Sequence, residues 1–150
     1  MLLSSIEHVI CDYYHISSED IRKKTRKETI RYPRQILFWM ANYYLKRNEL
    51  EIIIQNNTLI QLVSISGLGR YYSFNHSTIL HAINVINNEI DYDKRLTPII
   101  NKLRMLAYLY DSSEMQAKRL SERNEILTYL YKKRQIIMDL IEEYEHLPCL

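Results

Sequence analysis

The sequence predicts an all-α protein, because turn residues are scarce and several long segments are amphipathic. Only 2 Gly and 3 Pro occur among 150 residues, whereas an all-β protein with many tight turns needs more of both. Apolar residues make up 47% of the chain and charged residues 25%, a balance typical of globular proteins. A chain of this length can form one sizeable core, or one domain with a helical appendage.

Three helices are predicted in the first third of the chain. Apolar residues at helical spacing indicate the first helix over Ile6–Tyr14. Ser17, followed by two acidic residues, is typical of a helix start, and the short helix that it begins should end near Lys24. The segment Arg26–Tyr32 is expected to be an exposed loop. Pro33 is expected in the first turn of the third helix, where its missing N–H costs nothing.

The segment Asn48–Ser66 allows two interpretations. Glu51–Ile54 and Thr58–Ile65 are rich in Ile, Leu and Val, and Asn56-Asn57 between them is typical of a hairpin turn. The same residues could instead continue one helix and begin another. A small β-hairpin at about residues 50–65 and an all-helical path both stay open.

A short helix beginning near Ser66 is followed by a tight turn and a clearer helix beginning at Asn75. Apolar residues of this second helix form a stripe that should be buried: Ile79, Leu80, Ile83, Ile86 and Ile90. Its first turn carries polar residues that the core does not need: Asn75, His76, Ser77 and Thr78. This contrast predicts that the start of the helix is exposed.

Positive charge is concentrated in one part of the chain, although the net charge is only +2. Between Arg22 and Arg34 seven Lys or Arg residues face a single acid, Glu28. Four of these cations are candidate contacts for an anionic partner: Arg26, Lys27, Arg31 and Arg34. A local basic patch favours contacts with nucleic-acid phosphates more than a small net charge suggests.

The character of the sequence changes after Asp91, which suggests two parts, residues 1–93 and 94–150. Thr97-Pro98 should begin a helix. After a break near Asp111, apolar residues lie close to a heptad seam: Leu120, Leu127, Leu130, Ile137, Ile141 and Tyr144. Two arginines interrupt the seam, so a helical hairpin or long helix that packs on itself is favoured over a clean coiled coil.

The C-terminal helices are expected to form a homo-oligomer contact or to bind a protein partner. Apolar residues expected to be buried there, within the chain or between copies, are Leu103, Leu106, Leu127, Leu130, Ile137 and Ile141.

Neither an enzyme nor a membrane protein is expected. His76 and His81 are five residues apart, which does not place them on one face of a helix as a metal pair requires. Cys11 and Cys149 fit neither a disulfide framework nor a zinc-site spacing. We therefore expect no cofactor and no metal. No apolar run has the length of a membrane span, and the N-terminus lacks the features of a signal peptide, which favours an intracellular compartment or the interior of something assembled there.

Three segments resemble, in the same order, the C-terminal DNA-binding domain of the bacterial replication initiator DnaA. Asp12–Ile21 (DYYHISSEDI) resembles the opening of that domain, and Pro33-Arg34-Gln35 resembles its second landmark. Asn75–Ala82 (NHSTILHA) closely resembles the family signature, an acidic residue followed by His, Ser or Thr, Thr, an aliphatic pair, His and Ala. The resemblance spans roughly Ile6 to Tyr92.

The resemblance implies a helix-turn-helix that binds double-stranded DNA, with the helix from Asn75 in the major groove. Carried over, Asn75–Ser77 would read bases and Thr78 would hold a phosphate. The basic loop would place Arg26 in the adjacent minor groove. Arg34 and Gln35, at a helix N-terminus, would hold the DNA backbone, with a base edge as a further contact.

Two local features depart from the family. Tyr72-Ser73-Phe74-Asn75 stands where the family usually has Gly-Gly-Arg-Asp, so an arginine is lost and an acid suited to cytosine becomes an amide suited to adenine. The segment between Leu45 and Ser66 is also several turns longer than in the family.

The ATPase of DnaA has no counterpart here, because a chain with two glycines cannot form a Gly-rich phosphate-binding loop. The sequence therefore predicts a short DNA-binding protein of phage or mobile-element type, acting in transcription regulation or replication. The alternative is a structural component of a phage particle, in the neck or as packaged protein, that reuses the helix-turn-helix fold.

Overall fold

A computed structural model describes residues 1–54, 58–112, 128, 130–132 and 134–135. The chain divides into two compact units, Met1–Asp111 and Ser112–Leu150. The first unit contains, in order, α1 (Leu3–Tyr14), α2 (Ser18–Arg22), α3 (Glu28–Leu45), β1 (Glu51–Ile54), β2 (Thr58–Gln61), α4 (Ile65–Tyr72) and α5 (His76–Tyr92). Residues 96–111 form a further helix, α6. Described residues beyond 112 are helical. The predicted all-α fold class is confirmed, with a small hairpin inserted.

The start of α2 is the predicted one. The Asp20 N–H donates to Ser17 Oγ at 3.1 Å, and the Ser17 N–H donates to Asp20 Oδ2 at 3.1 Å, which makes a reciprocal capping box. Hydrogen bonds from the Lys23 ammonium and from Ser17 lower the pKa of Asp20 to about 2. The helix ends at Arg22, slightly before the expected Lys24.

The third helix begins earlier than expected. It starts at Glu28, so Pro33 lies in its second turn rather than its first, and the predicted loop shrinks to residues 23–27. Pro33 removes the N–H that would donate to the carbonyl of Thr29. Because Thr29 is exposed, water can take the place of that donor. The expectation that Arg34 and Gln35 stand at a helix N-terminus is therefore wrong.

The segment between α3 and α4 is a hairpin, the first of its two interpretations. β1 and β2 are antiparallel, with Glu51 opposite Gln61 and Ile54 opposite Thr58. The proposed Asn56-Asn57 turn lies outside the described residues.

The second helix pair, α4 and α5, has clear boundaries. Ser64 begins α4, its hydroxyl accepting from the Gly67 N–H at 3.1 Å. Ser73 ends α4 in the left-handed conformation, with φ 60°. On α5 the predicted stripe is buried at Ile79, Ile83 and Ile86 and half-buried at Ile90. Leu80 was wrongly included in that stripe, because it is 36% exposed, whereas Ala82, which was not included, is buried.

One hydrophobic core joins all six helices of the first unit. Its largest enclosed side chains include Tyr72, Phe38 and Met40. From α6 it includes Leu96, Ile100, Leu103 and Ala107. The core of the first unit therefore extends past residue 93, where the composition of the sequence changes.

The predicted burial of the C-terminal apolar residues is only partly within view. Leu103 is buried and Leu106 is half-buried, whereas Leu130 is 54% exposed. The other members of the predicted seam, Leu120, Leu127, Ile137, Ile141 and Tyr144, lie outside the described residues. Within the described ranges, no helix combines the length and apolar character that crossing a membrane requires.

Candidate nucleic-acid interface

The turn between α4 and α5 is held by close backbone contacts. The Phe74 N–H donates to the Gly69 carbonyl at 2.9 Å, and the Ser73 N–H donates to the Arg70 carbonyl at 3.3 Å. A Cβ atom on Gly69 would lie 2.6 Å from the carbonyl oxygen of Phe74, which is closer than such atoms approach. Only glycine at this position lets the turn pass so near to α4.

The start of α5 is exposed, as the sequence predicts. Asn75 is the N-cap residue, and its carbonyl accepts from the Thr78 N–H at 3.0 Å. Its side chain makes no capping hydrogen bond, so the amide is not engaged by its own helix. Asn75, His76, Ser77 and Thr78 are all exposed. The first N–H groups of a helix have no acceptor within it, and they favour anions.

A groove runs between the start of α5, the loop 23–27 and α3. Its volume is about 610 Å³, and it is lined by Thr25, Arg26, Arg31, Arg34, Gln35, Phe38, Ser77, Thr78, His81 and Ala82. Six of the nine predicted site residues are thus brought together from three parts of the chain. The other three, Lys27, Asn75 and His76, are exposed and lie one or two residues from a lining residue in the sequence, but they do not line the groove.

His81 belongs to the groove but was missing from the predicted site. It lies three residues after Thr78 and four after Ser77, and such residues share one face of a helix. The spacing alone could therefore have identified it. Sequence reasoning considered His81 only as a metal ligand, and its distance from His76 excluded that.

Arg34 is buried beneath the groove, with an exposed fraction of 7%. Its guanidinium donates to the carbonyls of Lys23, Thr25 (2.9 Å) and Ile21 (3.5 Å). It also lies over the ring of Phe74, 4.8 Å from the ring centre. Burial lowers the pKa of this guanidinium, and charge-assisted hydrogen bonds to the carbonyls offset the cost of burying it. Arg34 thus joins the basic loop to the turn before α5.

Some cations of the basic segment form ion pairs with carboxylates, and others do not. Arg22 pairs with Glu7 at 3.6 Å, Lys23 with Asp20 at 2.7 Å, and Arg31 with Glu28. Three exposed cations have no ion-pair partner among the described residues: Lys24, Arg26 and Lys27. All three lie in the loop 23–27, so their charge is available to an anionic partner.

Side-chain hydrogen bonds fix α5 against α3. The Tyr32 hydroxyl donates to Glu89 Oε1 at 2.7 Å, and the Trp39 indole N–H donates to Asn87 Oδ1 at 2.7 Å. Burial, followed by the hydrogen bond to Glu89, raises the pKa of Tyr32, so the hydroxyl stays a donor at neutral pH. The start of α5 is therefore held in one orientation by contacts further along the same helix.

A buried network fixes α4 in the same way. Glu7 accepts from the Tyr72 hydroxyl at 2.5 Å and from the Ser18 hydroxyl, which ties α4 and α2 to α1. Desolvation raises the pKa of Tyr72 well above its usual value.

Among the described side chains, no group of three or more His, Cys, Asp or Glu could hold a metal ion.

Comparison with known proteins relates this geometry to a family. The profile described as "Bacterial dnaA protein helix-turn-helix" matches residues 3–56. The "Chromosomal replication initiator protein DnaA" of Thermoanaerobacter sp. (strain X514) is 32% identical over 99 residues, 66% of this chain and 19% of that protein. The protein of the same name in Treponema denticola is 30% identical over 100 residues, which are 66% of this chain and 18% of that protein. The DnaA protein of Desulfatibacillum aliphaticivorans is 28% identical over 90 residues, which are 60% of this chain and 16% of that protein.

These matches cover more than the first helices. The profile match ends at residue 56, in the segment between α3 and α4. An alignment of 99 residues within a chain of 150 necessarily includes its middle, where Asn75 and the first turn of α5 lie. The chain spans less than a fifth of the length of each of these relatives. It carries a helix-turn-helix domain of the bacterial DnaA C-terminal type.

Proposed function

We propose that this chain binds double-stranded DNA, with the start of α5 in the major groove and the loop 23–27 on the neighbouring phosphates. The observation that carries this proposal is the groove in which Arg26, Arg31, Ser77 and Thr78 meet. Beside it lie three exposed cations without ion-pair partners among the described residues. An α-helix fits the major groove, and helix-turn-helix proteins contact base edges with the first residues of their second helix.

Asn75, His76 and Ser77 are proposed to read base edges, and Thr78 to hold a phosphate. The Asn75 amide is exposed and makes no capping bond, so it can donate to and accept from the edge of one adenine. The preferred site should therefore be richer in A·T pairs at this position than one read by an acidic residue.

Arg26 and Lys27 are proposed to supply phosphate contacts, with Arg26 entering the adjacent minor groove and Arg31 adding charge from α3. The predicted contact of Arg34 and Gln35 with the DNA backbone stays a prediction. Both are at least nine-tenths buried, and the Arg34 N–H groups already serve three carbonyls. We therefore assign Arg34 mainly to positioning the loop that bears Arg26.

The biological setting is a wider part of the proposal. We propose a role in transcription regulation or replication, in a protein of phage or mobile-element type, because both processes use proteins that bind double-stranded DNA. The C-terminal helices would then supply self-association or a protein contact.

Base reading and backbone holding can be separated by two substitutions on α5. Asn75→Ala should weaken binding to the best site by about 1–3 kcal/mol and binding to random DNA very little. Thr78→Val, which removes a phosphate-binding hydroxyl, should weaken both alike. Dissociation constants would be measured on a duplex chosen by selection from a random pool.

Asn84→Ala is the matched control, because it makes the same change at an exposed position two turns further along α5. It should leave both affinities unchanged. If selection enriches no sequence at all, the proposed base reading by Asn75–Ser77 is wrong.

The basic loop can be tested through the dependence of binding on salt. Each phosphate contact contributes about 0.9 to the slope of log affinity against log salt concentration. The double variant Arg26→Ala, Lys27→Ala should therefore reduce that slope by about 1–2. Lys46→Ala, Lys94→Ala removes the same charge from exposed positions outside the loop, and it should reduce the slope less. Equal slopes for the two double variants would remove the loop from the interface.

A further inference from the structure

The outer edge of β2 is open. β1 and β2 form a two-stranded sheet, and among the described residues β2 pairs only with β1. The other edge of β1 is partly covered, because the Glu51 N–H donates to the Met1 carbonyl at 3.0 Å and Leu2 bridges Glu51. Every residue of β2 is exposed. An exposed strand edge is a template for pairing with another strand.

The register shows which peptide groups of β2 face outward. The Leu62 N–H donates to the Leu50 carbonyl at 2.8 Å, and hydrogen-bonded pairs alternate along an antiparallel ladder. Ile60 and Thr58 therefore bond to β1, whereas the peptide groups of Leu59 and Gln61 point to the open edge. The outward Glu51 N–H, opposite Gln61, agrees with this alternation.

The chemistry of the hairpin decides what can pair with it. No Lys, Arg, Asp or Glu occurs from residue 52 to residue 69, so the hairpin offers no cation to a nucleic acid. Leu59 (37%), Ile60 (41%) and Val63 (70%) expose apolar surface on and beside the strand. The edge also lacks lysine and proline, the residues that usually prevent edge-to-edge pairing.

We propose that β2 pairs antiparallel with β2 of a second copy of this chain, about a two-fold axis at Ile60. In that register Leu59 of each copy exchanges two backbone hydrogen bonds with Gln61 of the other copy, which gives four hydrogen bonds in all. The two Ile60 residues then form a non-hydrogen-bonded pair, in which opposed strands are closest and the side chains are in contact. The strand is self-complementary and meets no like charge. Such an isologous contact closes as a dimer. This inference does not depend on DNA binding.

Light scattering on the full chain over a range of concentrations tests the pairing. The wild type should have twice the mass of one chain. Ile60→Lys places two ammonium groups opposite each other and should lower the association constant about 100-fold or more. Leu59→Pro should act in the same direction, because it removes an outward N–H and leaves the ladder to β1 intact. Thermal unfolding would check that both variants stay folded.

Met105→Lys is the control, since it adds the same charge at a side chain on α6 that is 58% exposed. It should leave the dimer intact. A wild type that has the mass of one chain at every concentration overturns the proposal. A dimer that survives both β2 substitutions, or one that Met105→Lys dissociates as strongly as Ile60→Lys, overturns it too.

Discussion

Arg34→Met is expected to lower the free energy of unfolding by about 3 kcal/mol. The substitution keeps an unbranched apolar stem but removes the donors to the carbonyls of Ile21, Lys23 and Thr25. Hydrogen bonds from charged groups contribute about 1.5–3 kcal/mol each, and a buried acceptor that loses its donor adds a desolvation cost. Urea denaturation followed by circular dichroism would give the free-energy difference.

Arg31→Met is the matched comparison, one turn earlier on the same helix. Arg31 pairs with Glu28 in an exposed i,i+3 arrangement, and such pairs contribute little to stability. Its loss should change the free energy of unfolding by less than about 0.5 kcal/mol. If the two variants are equally stable, Arg34 does not hold the loop to the turn as the contacts indicate.

Gly69→Ala is expected to destabilise the domain by about 1–3 kcal/mol, the usual cost of forcing an added methyl group into a packed site. The new Cβ would lie 2.6 Å from the Phe74 carbonyl oxygen, and a backbone atom cannot move aside as a side chain can. The turn must then open, which moves the start of α5. We therefore also expect weaker DNA binding per folded molecule, measured at a temperature where the variant is fully folded.

Gly67→Ala, on the same helix, is expected to change the stability of the domain in the opposite direction. A Cβ there would lie 3.4 Å from Leu62 Cδ1 and from Ser64 Oγ, which is an ordinary contact. Alanine is favoured over glycine within helices by about 0.5–1 kcal/mol, so this variant should be neutral or more stable. A Gly69→Ala variant as stable as Gly67→Ala would show that the turn tolerates a side chain.

Local signals in the sequence predicted most of the helical elements. The cap at Ser17 and the polar first turn after Asn75 are determined by nearby residues, and the structure has both. The start of α3 was mispredicted because proline is most frequent in the first turn of a helix, whereas Pro33 lies in the second turn. The carbonyl that loses its donor there belongs to an exposed residue, so the interior proline is tolerated. Leu80 misled because it borders the apolar stripe, and only packing decides where the edge of the buried face lies.

The sequence does not reveal how differently similar residues of the candidate site are placed. Arg34 and Arg26 look alike in a basic run, yet one is buried under the groove and the other is exposed at its rim. That difference depends on Phe74 and on carbonyls of the preceding loop, which no local pattern places around Arg34. Similarly, the hairpin could be identified only as one of two alternatives, because short apolar runs are compatible with a strand and with a buried helix equally.

Trp39 is the only tryptophan of the chain, and its indole N–H donates to Asn87 on α5. Its fluorescence therefore reports on the contact between α3 and α5 without any label and without competing signals from other tryptophans. Trp39 is half-buried, so detachment of α5 would expose more of the indole to water and shift its emission to longer wavelength. The domain thus contains its own optical probe of whether the helix proposed to read DNA is docked.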